Sequence, residues 1–206
     1  GFAPPGWGSI IIGTNGLKTD EDAFHFKFAK RYTEQSPWNL SATYTYTDGT
    51  ENRAFGEYFS FDFPTLEDYT VKTSSGLRKH RLVIAGAVDL PTQTTLSAKF
   101  ITSSPRYLNS FVRTPGGNPP VEVVTVETAG NGDRWGFRQL DLAITQNIPL
   151  GFVSERTRVY VRADIINALN DRNYNSFNGI TGERNLNAFG TDGPPRTVKV
   201  SAGFDF

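Results

Sequence analysis

The chain has 206 residues, with 21 basic and 21 acidic side chains, no Cys and no Met. Zero formal charge argues against a phosphate-tracking basic surface and against an acidic disordered tail, so no nucleic-acid partner is expected. The lack of Cys excludes a disulfide framework and a thiolate metal centre.

The length suits one all-β domain or two smaller units. A sequence that does not start with Met is read as a processed product or a portion of a longer chain. No signal peptide is visible, and no apolar run approaches the ~20 residues of a membrane-crossing helix. Aromatic residues make up 13% of the chain, beside 20 Gly and 12 Pro. That mixture favours strands joined by turns and irregular loops over helices.

In chain order, "SIIIG" (9–13) is a weak strand candidate. "AFHFKFAKRY" follows with strict alternation, Phe24, Phe26 and Phe28 opposing His25 and Lys27. The preceding acids Asp20, Glu21 and Asp22 could hold a divalent cation through oxygen ligands, but a solvated loop is the plainer reading. After the short "TEQSP" comes "WNLSATYTYT", which sets Leu40, Ala42, Tyr44 and Tyr46 against Asn39, Ser41, Thr43 and Thr45. A long connection is expected over 48–77. Its "DGTEN" reads as a turn, and it carries Phe55, Tyr58, Phe59, Phe61, Phe63 and Tyr69 among acids. So many aromatics in a loop suggest contact with a ligand, a partner chain or a folded-over cap, or a loop packed on its neighbours.

"RLVIAGAVDL" then presents Leu82, Ile84, Gly86 and Val88 on one face. The short "PTQT" leads to "TLSAKFI", with Leu96, Ala98 and Phe100 opposite Lys99. Residues 103–136 read as a second long loop, rich in turn signals such as "TPGGNPP" and "AGNGDR". "RQLDLAITQNI" aligns Leu140, Leu142, Ile144 and Ile148 against Gln139, Asp141 and Thr145. After the short "GFVSERT", "RVYVRADII" aligns Val159, Val161, Ala163 and Ile165 against Arg158, Tyr160, Arg162 and Asp164. A third long loop spans 169–195, and "RTVKVSAGFDF" closes the chain with Val198, Val200, Ala202, Phe204 and Phe206 on one face.

The fold class expected is all-β, an antiparallel up-and-down meander of about eight strands, with tight turns at one end and large loops at the other. A soluble sandwich also alternates, and would turn its apolar face into a core. Three features favour a transmembrane β-barrel segment. The polar face carries mid-strand charges (Lys27, Lys99, Arg158, Arg162, Asp141, Asp164) that a lumen can hydrate or pair. Aromatics gather near strand ends (Tyr32, Trp38, Tyr44, Tyr46, Trp135, Phe137, Phe152, Phe204, Phe206) as interfacial girdles. Loop lengths alternate as periplasmic turns and extracellular loops do.

Motifs of catalysis are missing: there is no G-x-S-x-G elbow, phosphate-binding loop, H-E-x-x-H or dinucleotide fingerprint. His25 and His80 lie on strands separated by a long loop and read as hydrogen-bonded strand residues. No enzyme activity, cofactor or metal is expected. Asp164, Asn167, Asn170 and Asn173 could pass for a ligand cluster. At a strand running into a loop, they read as groups that satisfy the backbone where the ladder ends.

These residues also carry a resemblance. "VRADIINALNDRNYNSFNG" (161–179) is similar to the penultimate-strand pattern of the TonB-dependent receptor barrel, with Asp164, Asn167, Asn170, Asn173 and Tyr174 at the pattern's positions and Ile166 where Phe is usual. "FGTDGPPRTVKVSAGFDF" resembles the closing segment and terminal strand. "LRKHRLVIAGAVDLP" resembles an earlier strand start, with Leu77 in place of an acid, and "WNLSATYTYTDGTEN" the strand before it. The likeness runs over roughly 20–206, most specifically in the final forty or so residues, and is to the C-terminal part of large Oar-like members that carry a carboxypeptidase-regulatory-like domain.

The resemblance implies that residues 1–206 are the C-terminal portion of an outer-membrane barrel of about 22 strands. The plug and N-terminal domains would lie outside this chain, and a ligand would be imported with energy from the TonB system. Implied partners are membrane lipid and lipopolysaccharide, the TonB system through that plug, a chain or segment completing the barrel, and the barrel-assembly machinery, which would read Phe204 and Phe206. A small structural or adhesive outer-membrane barrel is the alternative, and an outer-membrane enzyme ranks third. The bacterial outer membrane is the location expected either way.

Overall fold

The computed structural model describes residues 15–52, 71–113, 121–127, 135–152, 157–177 and 191–205. Its elements, in order, are β1 (Thr19–Lys30), β2 (Trp38–Glu51), β3 (Lys72–Thr73), β4 (His80–Leu90), β5 (Thr94–Ser103), β6 (Tyr107–Arg113), β7 (Val121–Glu127), β8 (Phe137–Pro149), β9 (Arg158–Ile166), β10 (Asn173–Tyr174), β11 (Thr191–Asp192) and β12 (Thr197–Asp205). No helix occurs among the described residues.

The alternating segments become seven long antiparallel strands in the order β1-β2-β4-β5-β8-β9-β12, and β3 extends the sheet beside β2. Among the described residues the meander is open, with β1 and β12 as its edges. The seven strands run 12, 14, 11, 10, 13, 9 and 9 residues. Globular strands more often run to about 5–6 residues, whereas crossing a bilayer takes about 9–11.

Short turns join β1 to β2, β4 to β5 and β8 to β9. Around Glu34–Gln35, Thr33 and Ser36 exchange backbone hydrogen bonds at 3.2 and 3.0 Å. Pro91–Gln93 forms a three-residue loop in which Gln93 takes a φ of +59°, the left-handed position such hairpins need at their last loop residue. The strand ends joined by the three long connections all lie at the opposite end of the sheet.

The structure corrects several sequence expectations. Asp20, Glu21 and Asp22 belong to β1, where they face Thr50, Gly49 and Asp48 of β2, so "DGTEN" continues that strand instead of turning. The connection over 103–136 contains the β6–β7 hairpin, seven residues paired with seven. Proline and glycine between its arms hid the alternation of "VEVVTVE". The eighth member of the sheet is the short β3; the candidate at 9–13 falls outside the described residues.

One sheet layer buries little. Leu77 is the only buried hydrophobic residue among those described, whereas Ser74, Thr94, Thr102, Ser103, Asn167 and Asn173 are buried polar ones. A sheet that packs on a second layer places its apolar residues between the two. Here they stand on the surface.

Candidate functional site: a two-faced sheet and its strand-end tie

Cross-strand register decides what each face presents. Phe26 lies opposite Tyr44, Tyr44 opposite Leu82, Ala42 opposite Ile84, and Ile84 opposite Phe100. Phe100 faces Leu140 and Leu96 faces Ile144; Ile144 faces Ala163, which faces Val200. One apolar face therefore runs from β1 to β12 without a change of side. It is exposed: Phe24 is 63%, Val200 69% and Phe204 68% accessible. Gly86 sits within this face beneath Leu40. A Cβ there would meet the Asn39 carbonyl at 2.7 Å and the Leu40 side chain at 3.2 Å. A groove of about 650 Å³ over this centre is lined by Trp38, Leu40, Ile84, Leu96, Leu142 and Ile165, among others.

Rings mark both ends of the apolar face. Towards the long connections, His80 stacks on Tyr44 (ring centroids 6.2 Å apart) and leans on Tyr46 (5.3 Å), and the Tyr44 hydroxyl lies 2.8 Å from His80 Nδ1. Towards the short turns, Lys30 continues the row of Phe24, Phe26 and Phe28. Its ammonium donates to the carbonyls of Arg31 (3.1 Å) and Trp38 (2.9 Å) and sits 4.0 Å from the Trp38 ring centroid. The charge is thus held by carbonyl dipoles and an indole face, so it can end an apolar row. Phe152 and Tyr32 stand at this same end and Trp135 at the other, whereas Phe137 falls on the polar side of β8 with Gln139 and Asp141.

The opposite face is polar and internally paired. Arg162 donates to Asp164 through Nε (3.0 Å) and Nη2 (2.7 Å), two residues along the same strand. Lys99 lies opposite Asp141 and Lys199 opposite Asp164 in register. Asp141 accepts from Gln139 Nε2 at 2.8 Å and from the backbone N–H of Asn167 at 2.9 Å. His25 contacts Thr45 Oγ1 at 3.1 Å. At the β12 edge the Tyr160 ring covers Gly203, where a Cβ would fall 2.6 Å from the ring. An aromatic laid over an edge glycine shields a backbone that the glycine leaves bare.

Where β9 stops pairing with β8, the chain continues along the β8 edge towards Arg138. Asn167 and Asn170 take left-handed φ values of +52° and +56°, tolerated by Asn because its short amide bonds locally. Asn167 is 1% exposed; its Nδ2 donates to the carbonyls of Asp171 (2.9 Å) and Pro194 (3.1 Å), and its Oδ1 accepts from Asp171 N–H (3.1 Å). The Ala168 N–H donates to the Leu140 carbonyl at 2.7 Å. Asn173, 2% exposed, accepts from the Arg138 N–H at 2.8 Å and donates to the Arg138 carbonyl at 3.0 Å. One side-chain amide thus stands in for a paired strand residue. The Arg138 guanidinium grips Asp171 at 2.6 and 2.9 Å.

Above this tie, β10 pairs with β11, and Asp192 of β11 meets Arg78 at 3.4 Å. Burial lowers the Arg78 pKa from its ordinary value, with Asp192 opposing that shift. Beside it, Asp48 accepts from Lys79 at 3.3 Å and raises the lysine's pKa.

Of the residues singled out from sequence, Asp164, Asn167, Asn170, Asn173 and Tyr174 come together on and beyond β9. Phe204 lies on the exposed apolar face of β12. Phe206 and the aromatics Phe55, Tyr58, Phe59, Phe61, Phe63 and Tyr69 fall outside the described residues. Sequence reasoning missed Arg138, Asp171 and the Lys30–Trp38 pair, whose roles depend on cross-strand neighbours. His25 and His80 sit on β1 and β4, with β2 between them. Among the described residues no group of three or more His, Asp or Glu side chains stands together. Comparison with known protein families, curated proteins and solved structures gives no match.

Proposed function

We propose that this chain is part of an outer-membrane β-barrel and forms the C-terminal portion of a TonB-dependent receptor, a barrel of about 22 strands that takes up a ligand. The observation that carries this reading is the unbroken, exposed apolar face on strands of 9 to 14 residues, backed by a polar face on which Arg162 pairs with Asp164. Moving each large side chain of that face from water into an apolar phase is worth about 1.5–3 kcal/mol. Acyl chains supply such a phase, and a hydrated interior suits Lys99, Asp141, Arg162 and Asp164. The asparagine-rich tie at the end of β9 supports the receptor assignment, because the resemblance to that family is most specific there.

The chain's chemistry is then recognition and passage, with no bond made or broken. The test is fractionation of the native protein from its own cells. It should stay with membranes through alkaline carbonate and urea, dissolve only in detergent, and migrate differently on gels before and after boiling. A folded monomer in plain buffer would overturn the membrane reading. Retention in the membrane without any TonB-dependent uptake lost on deletion would leave the structural or adhesive barrel in its place.

A further inference from the structure

The apolar face is not evenly filled. Along one row of register partners, Leu40 faces Gly86, Gly86 faces Ala98, Ala98 faces Leu142 and Leu142 faces Ile165. Gly86 and Ala98 leave a low floor between the taller side chains of Ile84, Val88, Leu96 and Phe100, at the centre of the groove of about 650 Å³. This row runs obliquely to the turns. Leu40 stands two residues from the short-turn end of its strand, Gly86 and Ala98 four, and Leu142 and Ile165 seven. From its first residue to its last the row gains five residues of depth, about 17 Å along the strands. One leaflet of a bilayer with a ~30 Å hydrocarbon core is of that depth.

The shallow end of the groove carries a positive charge. Trp38 lines the groove there, and the Lys30 ammonium sits 4.0 Å from its ring centroid. Lys30 donates to the carbonyls of Arg31, Ser36 and Trp38 at 3.1, 3.4 and 2.9 Å, which fixes its position. Among the described residues no carboxylate pairs with Lys30, and no group accepts from the Trp38 indole N–H. A held cation and a spare donor at the mouth of an apolar furrow suit a phosphate joined to an acyl chain. Resting on the membrane reading above, we infer that this groove holds one anionic phospholipid. Its phosphate lies beside Lys30 and Trp38, and an acyl chain lies over Gly86 and Ala98 towards Ile165. A free phosphate would leave the furrow empty, and an uncharged lipid would leave Lys30 without a counter-ion.

The test uses the intact protein in phosphatidylcholine vesicles with a trace of phosphatidylglycerol whose acyl chain carries a diazirine. Adducts located by peptide mass spectrometry should concentrate around Gly86, Ala98 and Leu142. Unlabelled phosphatidylglycerol should displace the probe saturably, whereas phosphatidylethanolamine and inorganic phosphate should not. Ala98→Leu fills the floor and should lower these adducts about tenfold, the worth of roughly two buried methylenes. Ala202→Leu adds the same bulk to the same face outside the groove and should leave them unchanged. Lys30→Gln should reduce the preference for phosphatidylglycerol about fivefold, as expected for one cation near an anionic headgroup. Adducts spread evenly over the apolar face, or equal displacement by phosphatidylethanolamine, overturn the proposal and leave the membrane reading intact. An Ala98→Leu protein that folds and labels like wild type does the same. The displacement arm needs no variant, so it decides the matter even if Ala98→Leu does not fold. Recovery of the protein as a soluble, unlabelled monomer overturns the membrane reading instead.

Discussion

Asn173 shows how much one side chain can carry in a single-layer sheet. Its amide satisfies both main-chain groups of Arg138 in a buried position. Asn173→Ala should therefore destabilise the folded protein by about 1–3 kcal/mol, the cost of leaving buried backbone groups unpaired, read as a lower urea midpoint in detergent micelles. Asn173→Asp keeps the acceptor and loses the donor, so it should fall between Ala and wild type or lower. Asn170 makes the opposite case, because its contribution is conformational. With a φ of +56°, Asn170→Gly should be nearly neutral, whereas Asn170→Val should cost about 1–2 kcal/mol in the same assay.

At the scale of a strand, the two faces differ by a single residue step. Ile144 of β8 lies between Leu96 and Ala163 on the apolar face, and its neighbour Thr145 lies between Thr95 and Arg162 on the polar one. Ile144→Arg should lower stability in lipid by about 2–4 kcal/mol, the range for a cation near the midplane of a barrel wall. Thr145→Glu, a charge placed opposite Arg162, should be tolerated. Equal damage at both positions, measured by refolding yield into vesicles, would contradict the assignment of faces. The β9–β12 pairing offers a second test at this scale. Gly203→Val would drive a side chain into the Tyr160 ring and should weaken the edge, Tyr160→Ala should weaken it less, and the double substitution should recover part of the loss. A non-additive cycle of this kind separates steric conflict from a general intolerance of change at β12.

Across the whole molecule, the difference between the two ends of the sheet is the feature open to a topological experiment. In the proposed barrel the long connections would face the cell exterior and the short turns the periplasm. Ser75→Cys stands exposed at the long-connection end, and Gly151→Cys stands in open space at a short turn. An impermeant maleimide applied to intact cells should label the first and reach the second only after the outer membrane is permeabilised. Reversed labelling would invert the orientation, and equal labelling of both would place the sheet outside a membrane. The Arg78–Asp192 contact ties β11 to the region where β4 begins, so Arg78→Ala should raise protease sensitivity near Asp192 with little effect on labelling at Gly151→Cys.

The residues alone determined the seven long strands, the side of each strand that is apolar, and the alternation of short and long connections. Period-2 patterning is a property of consecutive residues and needs no partner to be seen. They did not determine that "DGTEN" continues β2, that a hairpin rises within 103–136, or that Arg138 and Asp171 join the asparagines beyond β9. Those outcomes depend on which backbone groups of a distant strand are left unpaired, and only the assembled sheet sets that. Hydrophobic alternation is written locally along the chain, whereas hydrogen-bond satisfaction in a sheet is settled across strands far apart in sequence.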